Sequence, residues 1–187
     1  MSIIGKEIPE FSVQAFRNPN IETVTKADII GKWAVFCFYP ADFTFVCPTE
    51  LEDLQTKYAY LQERGVEVYS VSVDSEFVHK AWADASPNIA KIQYPMISDQ
   101  RHELADFFGC FCEAEGRAYR GSFVINPEGE VVTAEIHDMP IGRSADELVR
   151  KVDAAQFVAE HGDRVCPAKW KKGEDTLKPG LDLVGKL

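Results

Sequence analysis

The sequence predicts an α/β protein, a sheet packed by helices on both faces and followed by a C-terminal arm. Three observations predict it. Short runs rich in β-branched and aromatic residues alternate with helix-like runs. Two of the strand-like runs are joined by Asn126-Pro127-Glu128-Gly129, a hairpin turn signal, and a last helix-like run closes the pattern. Beyond residue 162 the alternation stops: 163–187 holds Pro167, Gly173, Pro179, Gly180 and four lysines between 169 and 178.

Taken in order, strands are expected at 33–39, 66–73, 121–126 and 131–136. The first is the longest apolar run, Trp33 to Tyr39, and reads as buried. Helices are expected at roughly 48–64, 75–85, 100–108 and 144–160. The 48–64 segment ends in Arg64-Gly65, a glycine stop. Ser144 followed by Glu147 ahead of an apolar run is a capping box. The expected division is a domain over 1–162 and an extended or mobile arm over 163–187. No repeat or low-complexity tract interrupts it.

Composition narrows the function. A chain of 187 residues can bury a sizeable core as one domain. Its net charge of −10 argues against a general nucleic-acid binder and against attraction to anionic membranes. No stretch approaches the length of a membrane span, and the N-terminus lacks the apolar region of a signal peptide. Five cysteines in such a chain point to redox or catalytic use rather than to a stapled secreted fold, with a cytoplasmic location as the default.

One cysteine stands in a reactive setting. Cys47 falls where the strand run gives way to a helix-like run. Unpaired N–H groups and partial positive charge at a helix start favour the thiolate, which is the nucleophilic form. Pro48 suits the first helical position. Glu50 sits where a capping-box carboxylate would reach back to the helix start. Thr44 offers a hydroxyl, and Asp42 and Thr49 add polar groups near the sulfur. A free cysteine is often only a small buried hydrophobe. Pro40 and Pro48, which bracket the segment, make a central strand the poorer reading here.

The segment FYPADFTFVCPTE, with Pro40, Thr44 and Cys47 in the pattern P-x-x-x-T-x-x-C, resembles the peroxidatic motif of the peroxiredoxins. VSVDSEFVHKAW (71–82), RGSFVINPEG (120–129), VCPAKW (165–170) and the tail LDLVGKL (181–187) are similar to the typical two-cysteine subfamily, the tail to its bacterial alkyl hydroperoxide reductase C branch. The resemblance runs from Phe36 to the C-terminus. It implies a thioredoxin-like fold with a central mixed sheet and Cys47 at a helix start. It also implies a thiol-dependent peroxidase acting on hydrogen peroxide and organic hydroperoxides.

By the same resemblance, Cys47 is oxidised to sulfenic acid, and Cys166 of a partner subunit resolves it to a disulfide. Arg120 is the active-site arginine that stabilises thiolate and leaving oxygen. Pro40 shields the pocket, Thr44 hydrogen-bonds thiolate or peroxide, and Arg143 pairs with Glu50. The residues alone leave Arg117 as a rival of Arg120; the resemblance selects Arg120. The family implies a flavin-containing disulfide reductase or a thioredoxin as electron donor, and a homodimer assembling into a decameric ring. Phe43, Phe45, Phe77 and Val78 lie near the contact between dimers in that ring. Peroxide-sensitive relatives carry a G-G-L-G insertion and a terminal helix with Tyr-Phe. This chain has neither Tyr nor Phe after Cys166, and reads Phe108-Gly109-Cys110-Phe111-Cys112-Glu113 at the insertion site.

The other cysteines carry weaker signals. Cys37, within the 33–39 strand run, reads as a buried structural thiol. Cys110 and Cys112 form C-x-C with no histidine at ligand spacing, so a zinc site with His102 is a remote reading. His79, His102, His137 and His161 receive no catalytic role; His79 and Lys80 read as residues on a helix face. No flavin, haem, nucleotide or metal cofactor is expected. Two functions of other classes remain compatible with the sequence. A redox-switched holdase chaperone would lack steady-state turnover, and a metal store built on Cys110 and Cys112 would carry zinc.

Overall fold

The computed structural model describes residues 2–186, and the chain divides into two compact units, 1–145 and 146–187. The first unit contains β1 (Ser12–Arg17), β2 (Asn20–Thr25), β3 (Trp33–Phe38), α1 (Cys47–Gln62), β4 (Val66–Ser72), α2 (Glu76–Ala85), β5 (Met96–Ser98) and α3 (Glu103–Phe107). It continues with the short pair β6 (Phe111–Cys112) and β7 (Arg117–Ala118), then β8 (Arg120–Ile125) and β9 (Val131–His137). Helix α4 (Ala145–Glu160) begins at its last residue and runs on into the second unit.

Seven strands form one mixed sheet in the order β2-β1-β5-β4-β3-β8-β9. β3 lies parallel to β4 and antiparallel to β8, so it is central. Its side chains explain that place. Ala34, Phe36 and Phe38 point to one face, Val35 and Cys37 to the other, and all five are buried. Phe36 and Phe38 pack against Phe108, with ring centroids 5.5 and 5.3 Å apart, and Phe123 of β8 closes the cluster. A strand apolar on both faces is stable only when both are covered, which places its C-terminal end at the heart of the unit.

All four expected strands and all four expected helices are present. The 126–129 turn is a hairpin, with Gly129 N–H donating to Asn126 O at 2.9 Å and φ +86° at Gly129. Gly65 stops α1 with φ +68°. The 100–108 helix is shorter than expected, at 103–107. The sequence expectation lacks the β1/β2 hairpin, β5 and the short pair β6/β7. β2 at the sheet edge and β1 beside it each mix polar and apolar residues, and β5, β6 and β7 are only three, two and two residues long, so none carries a periodic signal.

In the second unit, the segment after α4 is not extended throughout. Val165 and Leu177 exchange two backbone hydrogen bonds at 2.9 and 3.1 Å, which closes 165–177 into a loop. Trp170 fastens the loop: it is 2% exposed, its ring lies 5.1 Å from Phe157 of α4, and its Nε1–H donates to Glu174 O. Past residue 177 the described residues hold a single 3-10 turn, Leu181–Leu183.

Candidate active site

The chain leaves β3 through Tyr39 and Pro40, both buried, and crosses 41–46 before α1 begins at Cys47. Cys47 is therefore the first residue of the helix, with Pro48 beside it in the first turn. Its thiol is free and fully buried. The N-cap, Val46, supplies no side-chain hydrogen bond. Pro48 has no N–H, and Thr49 and Glu50 donate theirs to Val46 O at 3.0 and 3.3 Å, so what the helix start offers at the sulfur's end is its partial positive charge.

Arg120, the first residue of β8, reaches Cys47 from the neighbouring strand. Its Nη1 donates to Cys47 Sγ at 3.4 Å and to Glu50 Oε2 at 2.6 Å, while Nε donates to Met139 O at 2.6 Å. Its rival Arg117 lies on β7 and pairs with Glu115. Gly121, the next residue, leaves no room for a side chain: a Cβ there would lie 2.6 Å from the Phe123 ring. The backbone of β8 is thereby free to offer Gly121 O to Arg143 Nη1, at 2.7 Å.

Glu50 does not form the expected capping box. One turn into α1, its carboxylate faces the two arginines. It takes Arg143 N–H and Nε on Oε1 at 2.8 and 2.9 Å, and Arg143 Nη2 on Oε2 at 3.2 Å, beside the Arg120 bond. Burial opposes the charge of Glu50, but the Arg143 hydrogen bonds and charge, with Arg120 behind them, hold the carboxyl below its ordinary range. Two guanidiniums share one carboxylate, so one positive charge is left over. Arg120 Nη1 places that surplus against the sulfur, where a thiolate would balance it.

The polar groups expected around the sulfur turn elsewhere. Thr44 Oγ1 donates to Ala41 O at 2.8 Å, and Thr49 Oγ1 donates to Val46 O at 2.6 Å. Thr44 therefore presents only lone pairs to anything that enters beside Cys47. Asp42 points away, accepting from Tyr39 OH on Oδ1 and meeting His79 Nδ1 with Oδ2, both at 2.7 Å. His79 lies on a face of α2, as expected, and that face is turned inward, so the residue is wholly buried. This pair escaped the sequence reading because its members lie far apart in the chain and share no motif.

Cys37 is buried on β3, as expected, and burial pushes its thiol up against the pull of the Arg143 charge. Cys110 is buried, and burial likewise raises it. His102 stacks on Phe111 with centroids 4.0 Å apart, and no cluster of three metal-ligating side chains occurs among the described residues. In the second unit, Cys166 is free and half-buried, its sulfur 4.0 Å from Ala154 O. Burial raises its thiol, partly countered by Arg150. Among the described residues no helix is long and apolar enough to cross a membrane.

This geometry has close counterparts. The AhpC/TSA family matches residues 4–134, and the C-terminal domain of 1-Cys peroxiredoxin matches 154–185. Alkyl hydroperoxide reductase C of Bacillus subtilis is 55% identical over 187 residues, with all of both chains covered. Its namesake from Staphylococcus epidermidis is 54% identical over 189 residues, again covering both. The crystal structure of Enterococcus faecalis AhpC is 57% identical, with a TM-score of 0.88, covering 89% of this chain and 100% of that one. The reduced 2-Cys peroxiredoxin of Plasmodium vivax shares 34% of residues at a TM-score of 0.91, covering 97% and 96%. A mixed sheet of this order, aligned end to end with such relatives, is the thioredoxin-like fold of the peroxiredoxins, and the chain belongs to the AhpC/TSA family as a thiol-dependent hydroperoxide reductase.

Proposed function

We propose that Cys47 is the peroxidatic thiol, that Cys166 of a partner subunit resolves it, and that the substrates are hydrogen peroxide and organic hydroperoxides. The observation that carries the reading is the 3.4 Å hydrogen bond from Arg120 to Cys47 Sγ at the first residue of a helix. The Cys47 thiolate attacks the terminal peroxide oxygen. A sulfur–oxygen bond forms, the O–O bond breaks, and the leaving alkoxide or hydroxide takes a proton. Sulfur is oxidised by two electrons to sulfenic acid, and the peroxide is reduced to alcohol or water. Thr44, its own proton committed to Ala41 O, accepts the hydrogen bond of the peroxide O–H and aims it at the sulfur. Arg120 Nη1 stabilises the thiolate and then the charge on the departing oxygen. Buried Pro40 keeps water from the pocket, and Glu50 with Arg143 holds Arg120 in place.

The Cys166 thiol then attacks the sulfenic sulfur, forming the disulfide and releasing water. A dithiol donor, either a flavin-containing disulfide reductase or thioredoxin, returns both cysteines to thiols. In this reading residues 1–162 carry the peroxidase chemistry and 163–187 deliver the resolving cysteine. The subunits pair as dimers that close into a ten-chain ring in the cytoplasm. Peroxide consumption by Cys47→Ser tests the core of the reading: turnover should vanish, and substantial remaining activity would move the catalytic role to another cysteine.

A further inference from the structure

The loop between β3 and Cys47 is held by a buried polar network that the chemistry above does not use. Asp42 sits at its centre, 6% exposed. Its backbone N–H donates to Asp74 Oδ2 at 2.9 Å, and that carboxylate also accepts from Ser72 Oγ at 2.8 Å. Its side chain accepts from Tyr39 OH and meets His79 Nδ1, and His79 Nε2 faces Ile97 O at 3.2 Å. Three elements therefore grip Asp42, the end of β3, the turn after β4 and α2, and β5 braces His79 from behind.

The proton count of the pair is set by its partners. The Ile97 carbonyl can only accept, so Nε2 carries a proton. A second proton lies between Nδ1 and Asp42 Oδ2. The pair thus satisfies all its buried polar atoms as a neutral unit, which suits a carboxylate held out of water. Burial pushes the Asp42 carboxyl above its ordinary range, and the His79 hydrogen bond pulls it back.

The network has something to hold. Phe43, the next residue, has φ +53°, a left-handed conformation that sterically disfavours any residue bearing a Cβ. Its ring is 55% exposed and touches Trp82 only loosely, at 6.0 Å between centroids, so its own packing does not compensate. The left-handed residue reverses the chain and brings Thr44 back to hydrogen-bond Ala41. Without the grip on Asp42, the reversal would relax and carry Thr44 away from the sulfur.

We propose that His79, acting through Asp42, is a positioning residue for peroxide reduction. It fixes the 40–46 loop so that Pro40 and Thr44 line the pocket over Cys47. The proposal rests on Cys47 being the peroxide nucleophile. It assigns His79 no contact with substrate.

The test compares two reactions of reduced, full-length protein: stopped-flow oxidation by hydrogen peroxide, and alkylation of Cys47 by iodoacetamide followed by peptide mass. Peroxide reduction needs the loop in its folded shape; alkylation needs only access to the buried sulfur, which a loosened loop does not reduce. His79→Phe keeps a ring in the same space and loses both nitrogens. It should oxidise roughly 10²-fold more slowly, the size of effect an ångström of misplacement can produce, while alkylation is no slower than in wild type. His79→Asn, whose amide nitrogen replaces Nδ1, should recover most of the oxidation rate. Oxidation of His79→Phe at the wild-type rate would overturn the proposal. So would equal losses in both reactions, which mark a purely structural role, or failure of Asn to recover. If His79→Phe does not fold, the same comparison runs between Asp42→Asn, which keeps a planar partner for His79, and Asp42→Ser, too short to reach it. Wild-type protein that oxidises at a cysteine other than Cys47 would instead sink the assignment of the nucleophile, a separate and distinguishable failure.

Discussion

Glu50 accepts three hydrogen bonds from Arg143, a residue 93 positions further along the chain, and through them the start of α1 is tied to the segment after β9. With Arg120 on the same carboxylate, the cluster is a buried trio of charges whose surplus faces Cys47. Glu50→Gln leaves two buried guanidiniums against a neutral amide. Removing one partner of a buried ion pair costs about 3–5 kcal/mol, so the midpoint of urea unfolding should fall by that equivalent at pH 7. The sign with pH follows from the depressed carboxyl of Glu50. Its stabilisation is full above the ordinary glutamate pKa, about 4.3, and is lost as pH falls through the lower folded value. The wild-type advantage over Glu50→Gln should therefore shrink in acid. An advantage that grew on acidification would contradict the ion-pair account.

Arg120 donates a hydrogen bond to the sulfur, so its substitution should act on rate more than on binding. Arg120→Met removes a donor aimed at developing negative charge, worth on the order of 10²–10³-fold in rate. Arg120→Lys should recover little, because one ammonium cannot reach Cys47 Sγ, Glu50 and Met139 O together. Second-order rate constants for hydrogen peroxide measure both, and a near-wild-type Arg120→Lys would show that charge without fork geometry suffices.

Cys166→Ser should still reduce one equivalent of peroxide and then stop, failing to cycle with a disulfide reductase. Wild-type protein treated with peroxide should run as a dimer on a non-reducing gel. Peptide mapping should find Cys47 joined to Cys166; a bond to Cys37, Cys110 or Cys112 would refute the assignment.

The readability of the site from sequence divides along sequence distance. Cys47, Thr44 and Pro40 share one local motif, and β3 and α1 around them have strong apolar patterns. Arg120 and Arg143 are remote, and only resemblance to a family singled them out. Composition could not separate Arg120 from Arg117, since both stand near the start of β8 and only pairing register aims one at the sulfur. His79 leaves a weaker signal. The sequence places it on a helix face without saying which; its neighbours Phe77 and Lys80 are exposed, and its own position on α2 turns inward onto Asp42. A tertiary hydrogen bond between residues 37 apart leaves no periodic trace. Glu50 likewise fitted a capping-box spacing, and two buried arginines outbid the helix N–H groups for its carboxylate.

Assembly should respond to redox state. Phe43, Phe45 and Phe77 are 55%, 92% and 65% exposed, an apolar group at the catalytic loop and the start of α2 that water would otherwise solvate. Cys47 is fully buried, so a disulfide to Cys166 requires the first turn of α1 to open, and the loop bearing Phe43 and Phe45 must move with it. Reduced protein should sediment as the larger species and oxidised protein as a smaller one. Identical sedimentation in both states would uncouple the loop from assembly.

Resistance to excess peroxide follows from a race. With Cys47 as the proposed peroxidatic thiol, its sulfenic acid would meet either Cys166 or a second peroxide, and the second outcome would give sulfinic acid. The race is set by how easily the start of α1 and the segment around Cys166 open. After α3 the chain passes directly through Gly109 into the two-residue strand β6, with no inserted segment. Past residue 177 the described chain holds only the 3-10 turn at Leu181–Leu183, and Leu181 is 92% exposed. A tail that buries so little apolar surface there has little free energy with which to hold a neighbouring segment closed. The anchored part is the 165–177 loop, fastened by Trp170 on Phe157, so Trp170 is where opening should be tuned. Intact mass after turnover should show sulfinic Cys47 only at high peroxide in wild type. Trp170→Ala, which frees the Cys166 loop, should raise that threshold further. Sulfinic protein accumulating at low micromolar peroxide would mean that another contact keeps the first turn of α1 closed.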